Sequence, residues 1–159
     1  MSIRLTKILV PTDFSEPSAT ALCYGLTLAR TFGASLHVLH AVEEPLAQGW
    51  DGYGLPTLPE LRAQVLADAQ RRLEGAVPAL ERDRQATELV TCMGDPYREI
   101  VAFAKARQVD VIVMGTHGRG GMAHLLLGSV AEKVVRGAPC PVLTVRQPEH
   151  EFVTTARIA

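Results

Sequence analysis

The sequence has no long hydrophobic run, no cysteine pairing pattern and almost no net charge. Its apolar stretches fall short of the roughly 18 residues that a membrane-spanning helix needs, and the start, MSIRLTKILVPTD, lacks the apolar core and cleavage site of a signal peptide. A soluble, cytoplasmic protein with no membrane partner is expected. Cys23, Cys92 and Cys140 are odd in number and scattered without C-x-x-C spacing, so buried free thiols are expected in place of disulfides or a metal site. With 16 Lys and Arg against 17 Asp and Glu, the net charge of −1 gives no broad attraction to nucleic acid. Any bound anion must therefore be held by a local site. Repeats, heptads and low-complexity tracts are also missing. At 159 residues the chain is expected to form one domain able to bury roughly two thirds of its unfolded surface, without a metal or disulfide staple.

What is present is an alternation of strand-like and helix-like segments. KILVPT (7–12) opens it, and its unbroken apolar centre suits a strand buried on both faces, the mark of a parallel α/β sheet. A helix over 16–32 follows, capped by Ser15 or Asp13, with Pro17 in its first turn and Gly33 as its stop. SLHVLHAV (35–42) is the second strand, and 43–59 has the Gly and Pro content of a long loop that either covers a ligand or makes a surface excursion. Trp50 and Tyr53 are its aromatic residues. A charged amphipathic helix over 60–82 would bury Leu61, Val65, Leu66, Ala69, Leu73, Val77 and Leu80. TELVTCM (87–93), a helix opened by Asp95 and Pro96, VDVIVM (109–114), a helix near 128–136 and PVLTV (141–145) complete the series. The tail after Arg146 is expected to be disordered or to pair as an edge strand.

The fourth strand runs into MGTHGRGGMAHLLLGS, in which Gly115, Gly118, Gly128 and Ser129 follow the spacing G-x2-G-x9-G-S. Glycine permits close backbone approach and positive φ, and unpaired N–H groups at a helix start attract anions. The stretch reads as a phosphate cradle, or as an ordinary glycine-rich turn. In an open parallel sheet, ligands lie beyond the carboxyl ends of the strands where the strand order reverses. For the order 3-2-1-4-5 that point falls between strands one and four, which brings Pro11, Thr12 and Asp13 opposite the segment from Met114 and Gly115 to Ser129. Asp13 could accept hydrogen bonds from sugar hydroxyls or a base amine, hold a cation shared with phosphates, or simply cap a helix. Arg119 and His117 are candidate phosphate donors, whereas His37, His40 and His124 suit structural or solvent-facing roles. No Ser, His and Asp share the spacing of a nucleophilic triad.

Two segments, ILVPTDFSEPS (8–18) and MGTHGRGGMAHLLLGSVAEKVVRGAPCPVLTVR (114–146), resemble the universal stress proteins, and the likeness runs over nearly the whole length to Arg146. The glycine spacing matches that of the family's ATP-binding subgroup without a gap. The resemblance implies a Rossmann-like sheet of the adenine nucleotide alpha hydrolase type with helices on both faces, in a domain over 1–146. It implies ATP, AMP or ADP as ligand, with Mg or Mn as an accompanying ion. Asp13 would then meet the ribose or adenine, Val42 would offer backbone groups to adenine, and Gly115, Gly118, Arg119, Gly128, Ser129 and Val130 would surround the phosphates. It also implies a homodimer through the last strand, Val142, Leu143, Thr144 and Val145.

Three other readings were open. A dedicated ATPase or nucleotidyl transferase needs metal ligands and charge stabilisation in the transition state, and the sequence has no Walker lysine and no evident carboxylate pair. A dinucleotide-dependent oxidoreductase is disfavoured because Gly118, Gly120 and Ala123 follow the fourth strand and PVLTVR ends without an acidic residue. A nucleotide-free interaction module is opposed by the intact glycine spacing.

Overall fold

The computed structural model describes residues 4–44, 57–77, 79, 82, 86–116 and 127–146. Its elements run β1 (Lys7–Pro11), α1 (Glu16–Phe32), β2 (Ser35–Val42), α2 (Leu58–Ala76), β3 (Thr87–Met93), α3 (Pro96–Arg107), β4 (Val111–Gly115), α4 (Ser129–Gly137) and β5 (Val142–Val145). The strands pair in parallel in the order β3-β2-β1-β4-β5. This is the five-stranded, Rossmann-like sheet expected from the sequence.

Strand alternation sorts the side chains into two layers. Ile8, Val10, Leu36 and Val38 pack with Ala21 and Leu22 of α1 and Leu73 of α2, while Leu9, Leu39 and Ile112 pack with Ile100 and Ala104 of α3 and Val134 of α4. Ile8, Leu9 and Val10 are all fully buried, because β1 is central and both of its faces are covered. None of the described helices is long and apolar enough to cross a membrane.

Local chemistry sets the helix ends. Ser15 caps α1 by accepting the Ser18 N–H, and Gly33 closes it at φ 64° with its N–H on the Ala29 carbonyl. Helix α2 begins earlier than position 60, because Thr57 and Glu60 form a reciprocal capping box and Pro59 fits the first turn. It also stops well before position 82. Val77 has left the helical basin at φ −116° and ψ 101°, as expected for a residue followed in sequence by Pro78. The fourth strand starts at Val111, two residues later than expected, because Val109 and Asp110 serve the turn before it. One Asp110 carboxylate oxygen accepts from the Thr6 N–H at 2.6 Å, the Thr6 hydroxyl at 2.8 Å and the Lys7 N–H at 2.9 Å. The entrance to β1 is thereby tied to the entrance to β4.

Candidate functional site

At the carboxyl end of the sheet, β1 and β4 lie side by side while their onward connections diverge, and the chain opens there into a cavity of about 890 Å³. Nine of the expected site residues line it: Pro11, Thr12, Asp13, Val42, Met114, Gly115, Gly128, Ser129 and Val130. The other three, His117, Gly118 and Arg119, lie outside the described residues, as do His124, Trp50 and Tyr53. The reversal of strand order thus gathers segments from both ends of the chain.

Thr12 builds the turn between β1 and α1. Its N–H donates to the Leu39 carbonyl at 2.8 Å, its hydroxyl bonds the Ser18 hydroxyl at 3.1 Å and accepts the Phe14 N–H at 3.1 Å, and its carbonyl accepts from His40 Nδ1 at 2.7 Å. His40 therefore carries its proton on Nδ1. Asp13 is not the helix cap, since that role falls to Ser15. One oxygen of the Asp13 carboxylate accepts from the Ser15 N–H at 3.1 Å and the Ser15 hydroxyl at 2.5 Å, and the residue borders the cavity.

The start of α4 differs from the other described helix starts. Ser15, Thr57 and Asp95 each cap a helix with a side-chain oxygen, whereas Gly128 at the α4 cap has none to offer. The first hydrogen bond of α4 runs from the Glu132 N–H to the Gly128 carbonyl, so the N–H groups of Val130 and Ala131 lie before the helical ladder, at the positive end of the helix. These positions border the cavity.

Two expectations about glycine are corrected. Gly128 has φ −70° and ψ 159°, a conformation open to any residue, and its own N–H donates to the Thr116 carbonyl at 2.6 Å. The donors that this helix start can offer are therefore those of the following residues. A Cβ at Gly115 would lie 2.8 Å from the Pro17 carbonyl carbon and 2.9 Å from its oxygen. Close packing against the first turn of α1 requires that glycine. The positive-φ glycines among the described residues are Gly33 and Gly94.

A third correction concerns Val42. Its carbonyl accepts the Gly94 N–H at 2.9 Å, so its peptide groups face β3. Backbone groups alternate sides along a strand, and the Leu39 carbonyl faces β1, where it receives the Thr12 N–H. Ala41 has the same parity as Leu39 and turns its N–H and C=O toward the crevice beyond the last β1 pairing. The side that Leu39 faces is set by strand pairing, so the sequence alone carried no signal for it.

The sequence reading also missed the wall that α2 contributes, Val65, Asp68, Ala69 and Arg72, because charges on an amphipathic helix read as a solvated face. Phe14 adopts φ 63°, unusual for a bulky residue, with its ring 4.4 Å from the His40 ring and 4.2 Å from the Arg72 guanidinium carbon. His37 lies in the opposite layer. Its Nδ1 is 2.9 Å from a Glu88 carboxylate oxygen and its ring meets Phe103 edge-on, a structural setting.

Cys23, Cys92 and Cys140 are partly buried and not joined in disulfides. Burial, reinforced by the Glu99 carboxylate, pushes the Cys92 thiol up to about 11, and burial raises Cys140 as well. Neither is an activated nucleophile. Among the described residues, no three His, Cys, Asp or Glu side chains are grouped to hold a metal ion.

The family model described as "Universal stress protein family" matches residues 4–146. The universal stress protein MJ0531 of Methanocaldococcus jannaschii is 34% identical over 148 residues, which cover 91% of this chain and 84% of that one. The solved structure of MJ0577 from the same organism, 30% identical, superposes with a TM-score of 0.74 over 93% of this chain and all of the other. A universal stress protein from Archaeoglobus fulgidus in complex with dAMP, 22% identical, shares the fold at a TM-score of 0.62, with 90% of this chain and 98% of that one covered. From the match over residues 4–146 and the near full-length identity to MJ0531, the chain belongs to the universal stress protein family.

Proposed function

We propose that the protein binds ATP in the crevice between β1 and β4 and acts as a nucleotide-responsive regulatory protein of the stress response, as a homodimer paired through β5. The observation that carries the reading is the α4 start without a side-chain cap, which opens on the same cavity as Asp13 and the Ala41 main chain. Phosphate oxygens would take the place of the missing cap on the Val130 and Ala131 N–H groups. Asp13 would accept hydrogen bonds from the ribose hydroxyls. Ala41 would offer one donor and one acceptor to the adenine edge, which carries the complementary pair. The glycine spacing adds His117, Gly118 and Arg119 to the phosphate side. The dAMP held by the Archaeoglobus relative is a ligand of the same chemical class.

Mg or Mn would be held mainly by the phosphates with Asp13 beside them, since no larger group of protein ligands is assembled among the described residues. The same poverty of groups, with no Walker lysine in the sequence, favours holding ATP over consuming it. At β5, Leu143 is 37% exposed and the strand pairs with β4 on one side. A symmetry mate would close the other.

Native mass spectrometry of freshly purified protein, with nucleotide extraction and calorimetric titration of ATP, tests the proposal. Co-purified adenine nucleotide or a saturable binding heat is expected. Finding neither would remove it.

A further inference from the structure

We infer that Arg72 is a specificity-determining residue whose guanidinium plane stacks on the nucleobase. This rests on the proposed nucleotide reading and adds the surface that recognises the base. Arg72 belongs to α2 and Phe14 to the turn after β1, and the guanidinium carbon lies 4.2 Å from the ring centroid. The cavity is lined by Arg72 and His40 and not by the Phe14 ring. Phe14 thus backs both residues, the Arg72 guanidinium at 4.2 Å and the His40 ring at 4.4 Å, and these two carry the group to the cavity.

A guanidinium is planar, weakly hydrated and always charged, so its two faces can hold two π systems at once. The Phe14 face orients it. The uncommon backbone conformation of Phe14, φ 63°, is what places the ring under Arg72 while Asp13, its chain neighbour, stays at the cavity edge. Three carboxylates, Asp13, Glu43 and Asp68, line the same cavity, which disfavours Arg72 as the seat of a further phosphate; Asp68 itself pairs with Arg71. A neutral base meets no such repulsion. Ala41 lies on the same cavity, so one base could take edge contacts from its main chain and face contact from Arg72.

The test is calorimetry on the full chain with ATP and with inorganic tripolyphosphate, for the parent protein, Arg72→Ala and Arg72→Lys. Both variants are expected to bind ATP about five- to ten-fold more weakly. Their affinity for tripolyphosphate, which has no base, should match the parent's, and this also reports that the fold and the α4 start are intact. Unchanged ATP affinity in Arg72→Ala would overturn the inference while leaving the nucleotide site standing. Full affinity in Arg72→Lys, which keeps the charge and loses the plane, would also overturn it. So would an equal loss for both ligands. If the parent protein bound neither, the nucleotide reading would fall and take this inference with it.

Discussion

Gly128→Asp should make the protein more stable and a poorer ligand binder at the same time. The backbone of Gly128, φ −70° and ψ 159°, is close to that of the capping residues Ser15, at −77° and 162°, and Thr57, at −65° and 159°. The backbone therefore accepts an aspartate, whose carboxylate can turn onto the N–H groups of Val130 or Ala131, as Asp95 does with Arg98 at 3.0 Å. The cap improves on glycine by a few tenths of a kcal/mol, and negative charge at a helix start adds about 0.3–1 kcal/mol. Loss of glycine's freedom in the unfolded chain contributes about 0.4–1 kcal/mol more. The sum is roughly 1–2 kcal/mol, or a rise in Tm of about 2–8 °C for a chain of this size. For ATP the sign reverses. Donors meant for phosphate become occupied from within and a like charge stands in the site, so affinity should fall on the order of 100-fold, about 2.7 kcal/mol. Thermal melting and calorimetric titration read the two effects separately. Gly128→Ala is the control, because it adds no acceptor: the poorer cap and the loss of glycine's freedom oppose each other, so stability should change by less than ~1 kcal/mol and binding should be retained. A raised Tm with undiminished ATP affinity would refute the use of the α4 start by phosphates, and a lowered Tm would refute the capping argument itself.

Other substitutions probe the frame around the site. Gly115→Ala places a Cβ 2.8 Å from the Pro17 backbone and should destabilise the fold by about 1–3 kcal/mol, seen as a lower urea midpoint; an unchanged midpoint would mean that α1 yields easily. Asp110→Ala should lower the urea midpoint at neutral pH. The Thr6 N–H, above all, holds the Asp110 carboxyl below its ordinary range. Its contribution is complete above the unfolded carboxyl's value near ~3.9 and fades as pH falls through the folded value, so the gap to the variant should close below about pH 4. A gap independent of pH would exclude the carboxylate as its source. For the proposed dimer, Thr144→Pro in β5 should convert a dimer to a monomer in analytical ultracentrifugation, and a dimer that survives it must use another surface.

Much of the fold was legible because its signals are local. The apolar centre of β1, the capping sequence before α1, the proline in the first turn of α3 and the glycine after α1 each act on immediate neighbours, and the structure places each where that chemistry requires. The errors at α2 have the same origin. Thr57 and Pro59 were loop-like by composition, and the reciprocal bonding of Thr57 with Glu60 moves the helix start ahead of position 60.

By itself, then, the sequence determined a parallel sheet with its glycine-rich segment at the carboxyl end of the fourth strand, since periodicity and turn chemistry are written in consecutive residues. The tertiary structure decided what those residues meet. Asp110 clamps Thr6 across 104 positions, Pro17 dictates the glycine at 115, and Arg72 arrives over Phe14 from another helix. Both Ala41 and Val42 line the cavity, but the main-chain groups of Ala41, and not those of Val42, turn to the crevice, because pairing on both sides of β2 sets the parity of its backbone. Such contacts depend on how elements pack, and packing joins side chains whose separation along the chain carries no local signal.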